Sequence, residues 1–206
     1  MTLSVLALNC SLKPGTEDSS TDVLARQLLE ECTRQGATSV EQVRVADHSV
    51  APGTGADMGA GDGWPALREK VLAADVLVLA TPIWNGQPSS LANRVFERLN
   101  AMLSEADDQG RSPLFGKSAG VAVVGNEDGS YHVAGITYQV LSDMGCTIPP
   151  QAVLYWHGQT GGAEGDYKDL EEVPDNVASL LPAVASNLLA CARALQATPY
   201  PGVPAA

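Results

Sequence analysis

Basic residues are scarce in this chain: 12 Lys and Arg stand against 24 Asp and Glu across 206 residues, a net charge of −12. So few cations cannot displace the counterions of a phosphate backbone, which argues against a nucleic-acid partner. The same deficit argues against an anionic membrane surface. Cysteines number 4 and lie far apart (Cys10, Cys32, Cys146, Cys191), with no CxxC pair and no histidine at ligand spacing. Reduced thiols in a cytoplasmic protein are therefore expected, and no metal site. No run approaches the ~18 apolar residues of a membrane span. Residues 1–8 lack a basic region and a small-residue cleavage site, and read as a strand rather than a secretion signal.

What the chain does have is a hydrophobic fraction of 45% and enough length to bury one α/β core. Near-continuous apolar runs at residues 3–8, 76–80 and 119–124 predict strands covered on both faces. Weaker runs at 39–45 and 152–156 complete five. Helical patterns lie between them, with Leu24, Leu28 and Cys32 on one stripe and Leu91, Val95, Leu99 and Met102 on another. Further helices are expected over 64–74 and 131–144. The last helix carries Val177, Leu181, Val184, Leu188 and Leu195 in register, with Pro182 set to kink it or mark a restart.

This alternation predicts a flavodoxin-like three-layer αβα sandwich, its five-stranded parallel sheet ordered 2-1-3-4-5. One domain is expected over 1–198, followed by an extended Pro-rich tail, 199–206, placed to rest against a neighbour. In such a fold the ligand crevice lies at the carboxyl ends of strands one, three and four.

Three loops sit there. The first, residues 9–21, carries Ser11, Lys13, Ser19, Ser20 and Thr21 at a helix start, where free N–H groups and the helix dipole favour an anion. An ordinary N-cap would need one such hydroxyl, and here three cluster. Glu17 and Asp18 oppose an anion unless they point outward. The second loop, 81–90, offers Pro82 to fix a turn, Gly86 for close backbone approach, and Trp84 as a stacking face at a strand end. A core role for Trp84 is the bland alternative. The third, 124–132, has two glycines and an Asn that expose backbone donors, although Asn126 and Asp128 equally suit a plain turn.

Together NCSLKP…SST, TPIWNGQPSSLANRVFERL and GNEDGSYHV resemble the flavodoxin-like NAD(P)H-dependent FMN reductase family, from strand one to about Trp156. The resemblance implies FMN phosphate at Ser11, Lys13, Ser19, Ser20 and Thr21. It implies ring contacts from Pro82, Ile83, Trp84, Asn85 and Gly86, and from Gly125, Asn126, Glu127, Asp128 and Gly129 with His132 nearby. It further implies NAD(P)H as co-substrate, and a homodimer or homotetramer with the helix from Leu91 near the interface. Lys13 stands where many members have Arg, which makes its contact a point charge instead of a fork.

Other signals carry less. Residues 53–59 fail as a dinucleotide fingerprint because Met58 holds the third glycine position and no helix begins there. The acidic loop 47–63 has no readable position relative to the crevice. His48 and His157 stand alone, and Trp156 borders either the site or the core. The expected activity is hydride transfer from nicotinamide to flavin N5 and on to a quinone, flavin or other small acceptor, with no catalytic side chain assigned. The alternatives are a flavodoxin-type electron carrier without its own substrate and a flavin-free interaction protein on the same fold.

Overall fold

The computed structural model describes residues 2–159, 163 and 165–203. Its strands are β1 (Ser4–Asn9), β2 (Ser39–Arg44), β3 (Val76–Trp84), β4 (Gln87–Pro88), β5 (Ser118–Gly125) and β6 (Val153–His157). The helices between them are α1 (Ser20–Arg34), α2 (Trp64–Ala73), α3 (Ser90–Leu99), α4 (Ser130–Asp143) and α5 (Asp175–Ala197). Five strands run parallel in the order β2-β1-β3-β5-β6, while β4 pairs with β3 alone. Because β4 is an added hairpin arm, this is the expected 2-1-3-4-5 order with one extra strand.

Alternation along the strands decides the layers. Val5, Ala7, Val76, Val78 and Ala80 pack with α1 and α5, and Leu6, Leu8, Leu77 and Leu79 pack with α2 and α3. Both faces are thus covered, which is why β1 and β3 read as unbroken apolar runs. The weaker alternation of β2 follows from its place at the sheet edge, where Val40 is exposed.

Several local expectations are corrected. The third strand continues four residues past Ala80 to Trp84, so the expected loop is a β-hairpin with Asn85 and Gly86 at its tip. Both tip residues have left-handed φ (52° and 70°), the conformation that an Asn-Gly turn accommodates. Helix α5 passes through Pro182 without a restart, and that residue lies on its exposed side. By length and composition α5 also meets the criteria for a membrane span, at a mean hydropathy of 1.4. Its stripe of Val177, Val184, Leu188 and Leu189 is buried against the sheet and α1.

The tail turns back on its own chain. Tyr200 meets Phe115 edge-on at 6.1 Å, and the Val203 N–H donates to the Gln109 carbonyl at 2.8 Å. Residues 204–206 of the tail lie outside the described residues.

The loop 47–63 is pinned beside α3. The fully buried Arg98 donates to the Gly55 carbonyl (3.1 Å), the Ala51 carbonyl (2.9 Å) and the Asp62 carboxylate (2.7 Å), with its guanidinium over Trp64.

Candidate functional site

A cleft of about 300 Å3 opens where β1, β3 and β5 end, and all three loops reach it. This is the switch point of the sheet: the chain leaves β1 toward one side and β3 toward the other, which parts the loops and leaves a crevice.

Backbone design brings the first loop there. After β1 the Ser11 N–H donates to the Asn9 side chain (2.9 Å), and the guanidinium of Arg44, at the end of β2, donates to the carbonyls of Pro14 (2.6 Å) and Glu17 (2.7 Å). The Ser19 hydroxyl donates to Ser11 Oγ at 3.0 Å, with both residues buried. Ser19 is the N-cap of α1, yet its side chain makes no capping bond. The opening N–H groups of the helix are thus left for another acceptor. Lys13 lies on the cleft with its Nζ donating to the Asp18 carbonyl at 3.1 Å. Glu17 and Asp18 are exposed and outside the cleft lining. Cys10 beneath this loop is no nucleophile, since full burial pushes its thiol far up.

The second and third loops form one unit. Pro82, Ile83 and Trp84 line the cleft, and Trp84 is 54% exposed, so it is not a core residue. From the third loop Gly125, Asn126 and Glu127 line it. A Cβ at Gly125 would stand 2.9 Å from the Cβ of Ile83, and one at Gly129 would stand 3.1 Å from the Gly86 Cα. Those clashes explain both glycines. The Glu127 carboxylate accepts the N–H groups of Asn85 (3.0 Å) and Gly86 (3.2 Å). The hairpin is tied to the first loop through Ser89, whose hydroxyl donates to the Cys10 carbonyl at 2.7 Å and accepts from Ala92 N–H at 3.1 Å as the cap of α3.

Of the sixteen residues named from sequence, Asn85, Gly86, Asp128, Gly129 and His132 are not on the cleft wall. Asp128 accepts from the Gly129 N–H (2.7 Å) as a turn former, and His132 pairs with Gln87 at 3.0 Å on the exposed side. Tyr131 is not on the cleft wall either. It is 71% exposed and sits 5.1 Å from the Tyr155 ring, and its hydrogen bond holds the Tyr155 phenol above its ordinary value.

Sequence reasoning missed Leu12, Val124 and Asp166, and left Trp156 undecided; all four line the cleft. Trp156 is buried and packs on Tyr167 at 5.3 Å. Asp166 accepts from Asn126 Nδ2 at 2.8 Å, and next to it the Lys168 N–H donates to Ser20 Oγ at 3.3 Å. No periodicity marks that segment, and only the fold brings it near. No residue of 47–63 borders the cleft among the described residues.

The residues present fit a flavin phosphate. One end combines clustered hydroxyls, an ammonium and an uncapped helix N-terminus, which is the donor set of a phosphate site. The other end is lined by the apolar side chains of Pro82, Ile83, Trp84 and Trp156, with Asn126 beside them. Among the described residues the Oδ1 of that Asn is buried without a partner, and it suits a ring N–H donor.

Comparison with known proteins agrees. Residues 3–161 match the family model of the NADPH-dependent FMN reductases. An 8-demethyl-8-aminoriboflavin-5'-phosphate synthase of Streptomyces davaonensis is 34% identical over 209 residues, covering 97% of this chain and 81% of that protein. A Mycobacterium bovis protein called divalent metal cation transporter MntH is 40% identical over 163 residues, but the match spans 77% of this chain and 24% of that one. Among solved structures, RosB with a bound 8-demethyl-8-formylriboflavin-5'-phosphate intermediate superposes at a TM-score of 0.85 with 35% identity, covering 97% and 82% of the two chains. Flavodoxins superpose at 0.58 and 0.60 with identities of 14% and 6%, which shows the fold alone. With the FMN-reductase model matched over most of its length and the flavodoxin-like crevice intact, the chain belongs to the NADPH-dependent FMN reductase family.

Proposed function

We propose that this protein is an FMN-dependent NAD(P)H oxidoreductase acting on a quinone, a flavin or another small acceptor. The observation that carries the reading is one continuous cleft joining the hydroxyl-lined start of α1 to the slot between Trp84 and Trp156.

Ser11, Ser19, Ser20 and Thr21, with the free N–H groups of α1, hold the phosphate, and Lys13 offsets its charge. Pro82, Ile83 and Trp84 orient the ring from one side and exclude water from that face. Asn126 fixes the ring's polar edge through its Oδ1, which has no partner among the described residues. When bound, FMN would supply the hydride chemistry between nicotinamide and acceptor, and these residues would hold and orient it. Trp84 and Tyr131 expose their rings at 54% and 71%, which suits burial against a second copy of the chain, and we assign a homodimer or homotetramer to it.

A second reading is favoured by a specific observation: RosB, at 35% identity, holds a riboflavin phosphate altered at its 8-position. On that reading the flavin is the substrate and is changed on its ring. Anaerobic NADPH or NADH, added to the FMN-loaded protein, separates the two. Loss of the oxidised flavin colour, restored on adding a quinone, with the flavin mass unchanged, supports the reductase. No bleaching, together with a changed flavin mass after aerobic incubation, supports the flavin-modifying enzyme and overturns the first reading.

A further inference from the structure

Glu127 lies on the cleft wall where the hairpin tip meets the loop after β5. Its carboxylate takes the N–H groups of both tip residues, Asn85 at 3.0 Å and Gly86 at 3.2 Å. Sequence alone would offer those amides to the polar edge of the ring, as preorganised donors that steady negative charge on a reduced flavin. In the structure they are already satisfied, and by a group of opposite character. The hairpin cannot easily turn them elsewhere, because Gly129 lies against Gly86 and Gln87 is bonded to His132.

The electrostatics of the cleft point the same way. Among the described residues lining it, the cation is Lys13, in the loop that forms the phosphate end. Two carboxylates, Glu127 and Asp166, line it as well. Asp166 is bonded to Asn126, next in sequence to Glu127. Reducing the ring by two electrons adds electron density to it, and a carboxylate in a slot partly shielded from water opposes that change more strongly than it would in bulk solvent.

We propose that Glu127 sets the reduction potential of the flavin bound in this cleft, holding it low through the negative charge it keeps on the cleft wall, with the two turn amides as its anchor. The inference rests on the reading that the cleft holds FMN. A low potential makes the reduced ring a strong donor to a weak acceptor.

The test compares the FMN-loaded wild type with Glu127→Gln and Glu127→Ala by equilibrium titration against redox dyes. The dissociation constants of oxidised and reduced FMN are measured in parallel. Glutamine removes the charge and leaves one carbonyl oxygen to accept from the turn; alanine frees both amides. Both variants, which lack the charge, are expected to have higher potentials than the wild type. The ratio of reduced to oxidised dissociation constants should fall at least tenfold from wild type to Ala, which is about 30 mV for a two-electron couple. Equal potentials in all three proteins, or lower ones in the variants, overturn the proposal. Retention of FMN by the wild type with loss from both variants also overturns it, since Glu127 is then only a clamp between loops. A wild type that takes up no FMN fails the proposed function instead.

Discussion

Trp84 shows how one side chain separates a binding role from a packing role. At 54% exposure it contributes little to the core, and its ring forms part of the cleft wall beside Pro82 and Ile83. Trp84→Ala should therefore lower thermal stability by no more than about 1 kcal/mol while weakening FMN retention clearly. Calorimetry beside an FMN titration checks this, and an unfolded variant would return the residue to the core. The hydroxyl cluster of Ser11, Ser19, Ser20 and Thr21 was legible in the sequence, because three adjacent hydroxyls exceed the need of a cap. Asp166 was not, because its segment has no pattern and its neighbours are 40 residues away along the chain. Nor was the partner of Glu127 legible: a carboxylate in a turn names no particular donor, and the Asn85 and Gly86 amides come within reach only once β3 and β5 are side by side.

At the scale of elements, the sequence conveyed which segments are strands better than where they stop. Reading 76–80 as a strand was sound, but Thr81 and Pro82 looked like loop residues. In the fold Pro82 still pairs in register with Val124, and the strand runs on into a hairpin. The acidic loop 47–63 is the opposite case. Its glycines and acidic residues gave it no readable position, whereas Arg98, which the sequence places on the apolar side of an amphipathic helix, buries itself to hold the loop. The Arg98 side chain, helped by backbone N–H groups of Met58, Trp64 and Ala51, holds the Asp62 carboxyl well below the usual carboxylate range. Its folded-state pKa is thus depressed, so the stabilisation is present in full above the unfolded value of about 4. It is lost only as pH falls below that value toward the folded one. Arg98→Met should strand the buried carboxylate and cost about 3–5 kcal/mol at neutral pH. The deficit should shrink in acid, and Asp62→Asn in the same protein should recover part of it. Denaturant unfolding at pH 7 and pH 3 checks both statements; a pH-independent loss would deny the charge its role.

Across the whole molecule, the parallel order with its reversal between β1 and β3 gathers three distant loops at one edge of the sheet. That convergence turns scattered hydroxyls, a hairpin and a glycine-rich turn into one cleft, and it was legible because strand alternation restricts the topology so strongly. The central claim is that the start of α1 is a phosphate site and the hairpin a ring site. The most direct measurement compares the affinities of the flavin-free protein for FMN and for riboflavin, which lacks the phosphate, in the wild type and in Ser20→Glu. The account predicts that the wild type prefers FMN at least a hundredfold, and that Ser20→Glu binds FMN no better than riboflavin while still folding. Equal affinity of the wild type for the two flavins, or an undiminished preference in the variant, would contradict it.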